Sequence, residues 1–229
     1  MDLVDLIFAA RRTGDALADT PPSLTLDEGY AVQRALAERT GPVLGWKLGA
    51  TSSGARSVLG VTEPIYGRVF ASPAAGTIVA GPRPLEVEPE IIVELGAELA
   101  PARAWVGLEI VRPSRDDALA LGAPFIVADN AAHVALVLGT ELLLANVDAP
   151  RVRLLLNGTP ASEGAATAVE GGPLASLAWL ARTLAHTAHP LRPGDLVATG
   201  AMARAVKAGP GDTVVADFGE HGRAEVRIN

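Results

Sequence analysis

The chain contains no cysteine. Disulfides, thiolate zinc sites and cysteine nucleophiles are thereby excluded. Aromatic residues are scarce, 4% of 229, and 26 Asp and Glu outnumber 19 Lys and Arg for a formal net charge of −7. Nucleic-acid binding wants basic patches and stacking rings, so this composition argues against it. Basic residues form no run, which argues equally against an anionic membrane surface. No window has the length of uninterrupted apolar sequence that a membrane span needs. Asp2 and Asp5 stand where a secretory signal would be basic, so the expected location is cytoplasmic. No Gly-x-Ser-x-Gly elbow and no phosphate loop occurs, leaving serine hydrolase and P-loop readings without support. The histidines His133, His186, His189 and His221 show no ligand spacing, so any metal should be a hard one.

What is present is an acidic strand. In Leu85-Glu86-Val87-Glu88-Pro89-Glu90-Ile91-Ile92-Val93-Glu94-Leu95, apolar residues alternate with carboxylates at the period of a half-buried strand. Glu86, Glu88 and Glu90 then share one face, where like charges repel. A bound hard cation would account for them, because Mg²⁺, Mn²⁺ and Ca²⁺ take oxygen ligands. The plain alternative is a solvated strand face. Glu109 tips the balance, since it sits in the apolar run 104–111, where a lone carboxylate needs a partner.

The remaining pattern places these residues in a fold. Residues 2–18 read as a helix through Leu3, Leu6, Ile7 and Ala10. A second helix starts after Thr25, which forms a capping box with Glu28, and stops at Gly41-Pro42. Residues 43–49 read as a short strand, and from about 70 onward the chain reads as mostly β. Arg151–Leu156 runs into a hairpin turn at Asn157-Gly158, and residues 173–187 carry a helical apolar stripe. The turn at Arg192-Pro193-Gly194-Asp195 enters a strand, and a hairpin of 213–218 with 223–228 ends the chain.

Lys47 lies among apolar and glycine residues in Gly45-Trp46-Lys47-Leu48-Gly49. A partly buried lysine can move protons or bind a carboxylate, whereas a lysine at a strand edge simply snorkels. Asp129-Asn130 closes the apolar run 125–128 and reads as a cap for a helix over 131–138. Thr199-Gly200 could offer a hydroxyl and a backbone N–H at a strand end. His133 reads as structural.

These segments together resemble the 2-keto-4-pentenoate hydratase and 4-oxalocrotonate decarboxylase group of the fumarylacetoacetate hydrolase superfamily. The matching stretches are Gly-Trp-Lys-Leu-Gly-Ala-Thr-Ser (45–52), Leu-Gly-Val (59–61), Pro-Ile-Tyr-Gly (64–67) and Val-Glu-Pro-Glu-Ile (87–91). Leu-Glu-Ile-Val (108–111), Ala-Asp-Asn-Ala (128–131), Leu-Asn-Gly (156–158), Gly-Asp-Leu-Val-Ala-Thr-Gly-Ala (194–201) and Pro-Gly-Asp-Thr-Val (210–214) continue in order.

The resemblance implies an α+β, mostly β fold: a fumarylacetoacetate hydrolase-like β-roll at 67–229 that holds the metal, with an N-terminal helical cap at 1–66. It implies a homo-oligomer acting on a small 2-oxo acid. It makes Glu88, Glu90 and Glu109 the ligands of Mg²⁺ or Mn²⁺, Lys47 and Asp129 the catalytic residues, and Thr51, Ser52 and Thr199 the substrate-binding ones. Hydration of 2-hydroxypenta-2,4-dienoate is the expected reaction, ahead of 4-oxalocrotonate-type decarboxylation. C–C bond hydrolysis and non-catalytic binding of a 2-oxo acid follow as further alternatives. Ile65 occupies a position where many hydratases carry Asp and decarboxylases tend to be apolar.

Overall fold

The computed structural model describes residues 2–18, 21–70 and 77–229. Helix α1 (Leu3–Thr13) is capped by Asp2 and ends earlier than its apolar pattern suggests, because Gly14 turns left-handed at φ 80°. Helix α2 (Leu26–Thr40) has the expected reciprocal cap: Glu28 N–H donates to Thr25 Oγ1 at 3.3 Å and Thr25 N–H to Glu28 Oε2 at 2.8 Å. Strand β1 (Val43–Gly49) follows as expected. A short helix α3 (Ser53–Leu59), which the sequence reading leaves out, starts on a Ser52 cap.

Next come β2 (Ile65–Phe70), β3 (Thr77–Ile78), β4 (Leu85–Leu95) and β5 (Pro101–Val111). Helix α4 (Gly122–Ala128) leads into β6 (His133–Leu142), and β7 (Arg151–Leu156) turns into β8 (Thr159–Ala165). Helix α5 (Pro173–Leu184) precedes β9 (Leu196–Ala198), β10 (Val206–Ala208), β11 (Thr213–Asp217) and β12 (Arg223–Ile228). The two expected hairpins, β7–β8 and β11–β12, are both antiparallel pairs.

One expectation fails here. Residues 131–138 are not a helix capped by Asp129-Asn130; instead His133 onward is strand β6. The physical reason lies in the three residues before it. Asn130, Ala131 and Ala132 all adopt left-handed backbone, at φ 54°, 50° and 62°, which reverses the chain at the end of α4 and feeds it into the sheet.

Two sheets build the molecule. A seven-stranded sheet runs β2-β1-β9-β4-β5-β6 with β10 also paired to β4, and a five-stranded sheet runs β3-β12-β11-β7-β8. All pairings are antiparallel except β1 with β9 and β12 with β3. Residues 43–49, before the expected division at 66, and 65–70, which straddle it, thus belong to the same sheet as the acidic strand β4.

The main core includes Val87, Ile91 and Val93 of β4, Val106, Leu108 and Ile110 of β5, Val214 of β11, Val226 of β12 and Leu180 of α5. A second core joins Ile7 of α1, Leu36 of α2, Phe125 and Val127 of α4, and Ile65 of β2. Strand side chains alternate between faces, so with Val87, Ile91 and Val93 committed to the main core, Glu88 and Glu90 emerge on the opposite face. No helix among the described residues is long and apolar enough to cross a membrane.

Candidate metal centre

Register brings the acids together. Glu88 of β4 pairs with Glu109 of β5, and Glu90 pairs with Gly107. One oxygen from each of Glu88, Glu90 and Glu109 can be chosen so that all lie within 4.8 Å of one another. Glu90 and Glu109 are fully buried and Glu88 is half-buried. Glu86, expected in the same row, is not part of this cluster. It lies 3.9 Å from Lys207 at the β10 edge.

Lys47 meets the cluster from β1. Its Nζ stands 3.0 Å from Glu109 Oε2 and donates to the Ala131 carbonyl, also at 3.0 Å. Burial alone would lower the lysine pKa, but Glu109, Glu88 and Glu90 more than offset it, so the ammonium keeps its charge. The carboxylates divide in the same field. Burial pushes Glu88 up to about 7, against the pull of Lys47 and with the push of Glu109. Burial, then Glu109 and Glu88, raises Glu90 well above the usual carboxylate range. Burial also acts on Glu109, but Lys47 and His133 outweigh it and hold Glu109 ionised.

His133 is a neighbour of the cluster that sequence reasoning missed. Its Nδ1 lies 2.7 Å from Glu109 Oε1. Its place at the head of an apolar strand gave only a weak signal. The Ala131 carbonyl is the other missed contact, and no residue type in Asn130-Ala131-Ala132 announces it. Left-handed backbone costs about 1–2 kcal/mol per non-glycine residue, so this turn holds strain beside Lys47.

Two glycines allow the parts to close up. A Cβ on Gly67 would stand 2.6 Å from the Asn130 carbonyl, so only glycine lets the turn approach β2. Gly200, at φ 118°, leaves no room for a Cβ against Thr51 Oγ1 and donates its N–H to Glu90 Oε2 at 2.9 Å.

The other expected site residues are engaged differently. Thr199 is fully buried and its hydroxyl donates to the Ile91 carbonyl at 2.9 Å, while Thr51 packs on Gly200. The Ser52 hydroxyl accepts from Ala55 N–H as the α3 cap. Asp129 sits where α4 ends, accepting from Arg11 Nη1 at 3.1 Å and from Ser114 N–H at 2.6 Å. Burial raises its pKa against the pull of Arg11 and Ser114. Lys47 and the three glutamates therefore converge, whereas the Ser52 hydroxyl and the Asp129 carboxylate serve local contacts.

The donor set fits a hard divalent cation. Among the described residues, Glu90 Oε1 and Glu109 Oε2 are buried without a hydrogen-bond partner, the latter despite its ion-pair distance from Lys47. Leaving buried polar atoms unsatisfied costs about 1–3 kcal/mol each, and more for charged ones. Three carboxylates facing one ammonium leave a formal excess of negative charge, which an oxygen-seeking dication would neutralise.

Comparison with known proteins gives the family of the chain. Residues 105–229 match the family described as fumarylacetoacetate (FAA) hydrolase C-terminal. A 2-keto-4-pentenoate hydratase of Paraburkholderia xenovorans (strain LB400) is 32% identical, over 90% of this chain and 86% of its own length. A 4-oxalocrotonate decarboxylase of Pseudomonas putida is 29% identical over 90% of this chain and 87% of its own. The structure of 4-oxalocrotonate decarboxylase from Pseudomonas putida G7, complexed with magnesium and adipate, superposes with a TM-score of 0.88 at 26% identity, covering 99% of this chain and 96% of that one. The chain belongs to the 2-keto-4-pentenoate hydratase and 4-oxalocrotonate decarboxylase group of the fumarylacetoacetate hydrolase superfamily.

Proposed function

We propose that this protein is a divalent-metal-dependent lyase of small 2-oxo acids and that it hydrates 2-hydroxypenta-2,4-dienoate to 4-hydroxy-2-oxopentanoate. The observation that carries the reading is the convergence of Glu88, Glu90 and Glu109 with Lys47 at 3.0 Å from Glu109. Glu88, Glu90 and Glu109 would hold Mg²⁺ or Mn²⁺. Bound there, the ion would supply Lewis-acid polarisation to a 2-oxo acid, whose carboxylate and keto oxygens suit chelation.

The chain's own residues account for the rest. Lys47 uses one N–H on Ala131 and faces Glu109 with another, leaving a third for a substrate oxygen. Its retained charge balances an incoming carboxylate, and its exchangeable protons suit the proton transfer that ketonisation requires. Gly200 N–H orients Glu90, and His133 orients Glu109, so neither carboxylate swings freely. Thr51 and Thr199 form the wall beside Glu90, with Ser52 fixing the start of α3 next to it. Asp129 holds α1 to the turn that presents the Ala131 carbonyl, so its role is positioning.

Decarboxylation is the second reading, and Ile65 favours it. Ile65 pairs with Gly49 and Gly67 with Lys47, which puts Ile65 on the lysine's face of the sheet. An apolar side chain there offers nothing to activate water. Product analysis by NMR separates the readings, using 2-hydroxypentadienoate and 4-oxalocrotonate with and without Mg²⁺. Hydration of the dienol only when metal is present is the expected result. Metal-dependent CO₂ release without hydration would reverse the order, and no turnover of either substrate would leave only a binding protein.

A further inference from the structure

A second polar site lies outside the carboxylate cluster. A cavity of about 260 Å³ is lined by Arg11 and Arg12 of α1, Arg83, Arg112, Ser114 and the Phe8 ring, among others, and by none of Glu88, Glu90, Glu109 or Lys47. In a chain of net charge −7, four guanidiniums around one cavity are a local reversal of sign. Like charges gathered this way repel unless something negative lies between them.

Two of the four already have carboxylates. Arg11 pairs with Asp129 at 3.1 Å, and Arg83 pairs with Asp116 at 2.5 Å while also donating to the Pro113 carbonyl. The other two do not. Among the described residues neither Arg12 nor Arg112 has a carboxylate within ion-pair distance. Arg12 rests over Phe8 at 5.7 Å, and Arg112 donates to the Ala80 carbonyl with its guanidinium packed on Gly14. Burial, then Arg83 and Arg11, draws the Arg112 pKa down, the direction expected of a cation crowded by cations.

The Ser114 hydroxyl is buried and lines the cavity beside the Asp129 carboxylate, so it adds a polar wall next to the guanidiniums. We propose that the cavity binds a compact dianion, a dicarboxylate or a phosphate, through Arg12, Arg83 and Arg112. Guanidinium forks match carboxylate and phosphate oxygens bidentately, and a cavity at the small end of ligand pockets selects a compact partner. The site does not depend on the metal or on the reaction, but Arg11 ties it to them: the same guanidinium donates to Asp129 and to the His133 carbonyl, and His133 holds Glu109.

The test is calorimetric titration of the full-length protein with inorganic phosphate and, separately, with succinate, each with and without Mg²⁺. Saturable one-site binding of at least one anion should persist without Mg²⁺ and weaken as NaCl is added. Arg112→Gln and Arg12→Gln should each reduce that affinity about tenfold or more, the scale of a charge-assisted contact. The tighter of the two anions identifies the ligand class. Binding that needs Mg²⁺ would place the anion at the carboxylate cluster and overturn the proposal, as would no saturable binding or an affinity in both variants unchanged from that of the unaltered protein. Arg12 is exposed, so Arg12→Gln decides the matter alone should Arg112→Gln fail to fold.

Discussion

His133 Nδ1 lies 2.7 Å from Glu109 Oε1, and neither side chain touches solvent. Burial keeps the imidazole below its usual pKa despite the pull of Glu109, so the ring is neutral and its Nδ1–H donates to the ionised carboxylate. A histidine that looks like core filling thus sets the direction of a candidate ligand. Outer partners of this kind are typically worth about 10–100-fold in metal affinity. His133→Ala should therefore weaken Mg²⁺ binding by about that factor with the far-UV circular dichroism unchanged, and His133→Asn should recover part of the loss. Unaltered affinity in the alanine variant would show that Glu109 needs no such support.

Lys47 should reveal two separable roles. Breaking a buried ion pair by removing one partner costs about 3–5 kcal/mol, because the remaining charge is left uncompensated. Lys47→Ala should accordingly lower the thermal stability of the metal-free protein sharply, and added Mg²⁺ should restore much of it. Turnover should fall by at least about 10²-fold, the scale of general acid–base catalysis. Lys47→Arg keeps the charge but not the readily exchanged proton, so it should rescue stability without rescuing turnover. Equal rescue of both would reduce Lys47 to a counter-ion.

The clustered carboxylates give the metal-free protein an unusual pH dependence. Glu88 is pushed up to about 7 by burial, from an ordinary value of 4.5. Between those values the folded chain holds a proton that the unfolded chain releases, so this group makes stability fall as pH rises, while His133, held below its ordinary 6.5, acts the other way up to that value. Glu90, raised further for the same reason, extends the effect upward. A dication that binds the ionised cluster should reverse the slope, stabilising the fold most above pH 7 and little near pH 5. Thermal unfolding from pH 5 to 8 with and without Mg²⁺ checks this. A metal-free protein that keeps gaining stability above pH 6.5, where His133 no longer contributes, would contradict the burial of the pair.

Much of this arrangement was readable because it repeats local rules. The Thr25–Glu28 box, the 43–49 strand and the Asn157-Gly158 hairpin each follow from residues that sit next to one another. The acid pair Glu88 and Glu90 follows from strand period, and Glu109 from the cost of an apolar setting. What escaped is set by contacts distant in sequence. The left-handed turn at 130–132 is built from two alanines and an asparagine, and alanine has no preference for φ above zero. That turn is stabilised from outside, by Arg68 N–H donating to Asn130 Oδ1, Asn130 Nδ2 donating to the Arg68 carbonyl and Lys47 donating to the Ala131 carbonyl. Without those partners in view, Asp129-Asn130 reads as a helix cap and His133 as core.

Which reaction the site runs can be tested at Ile65. Its side chain is 2% exposed and packs with Ile7, Leu36 and Phe125, yet a Cβ on neighbouring Gly49 would lie 3.2 Å from Ile65 and 3.9 Å from Lys47 Nζ. The position therefore joins the helical core to the lysine. Ile65→Asp would place a carboxylate within the field of the Lys47 ammonium, which compensates part of the cost of burying it. If water addition is the native chemistry, the new carboxylate gives that water an acceptor for its proton, and hydration should rise relative to any decarboxylation. Ile65→Asn supplies similar size and polarity without a base, so it should not reproduce the gain, and thermal unfolding of both variants separates lost packing from altered chemistry. A hydration-to-decarboxylation ratio that is unchanged, or equal in the Asp and Asn variants, would remove position 65 from the choice of reaction while leaving the glutamate cluster and Lys47 where the fold puts them.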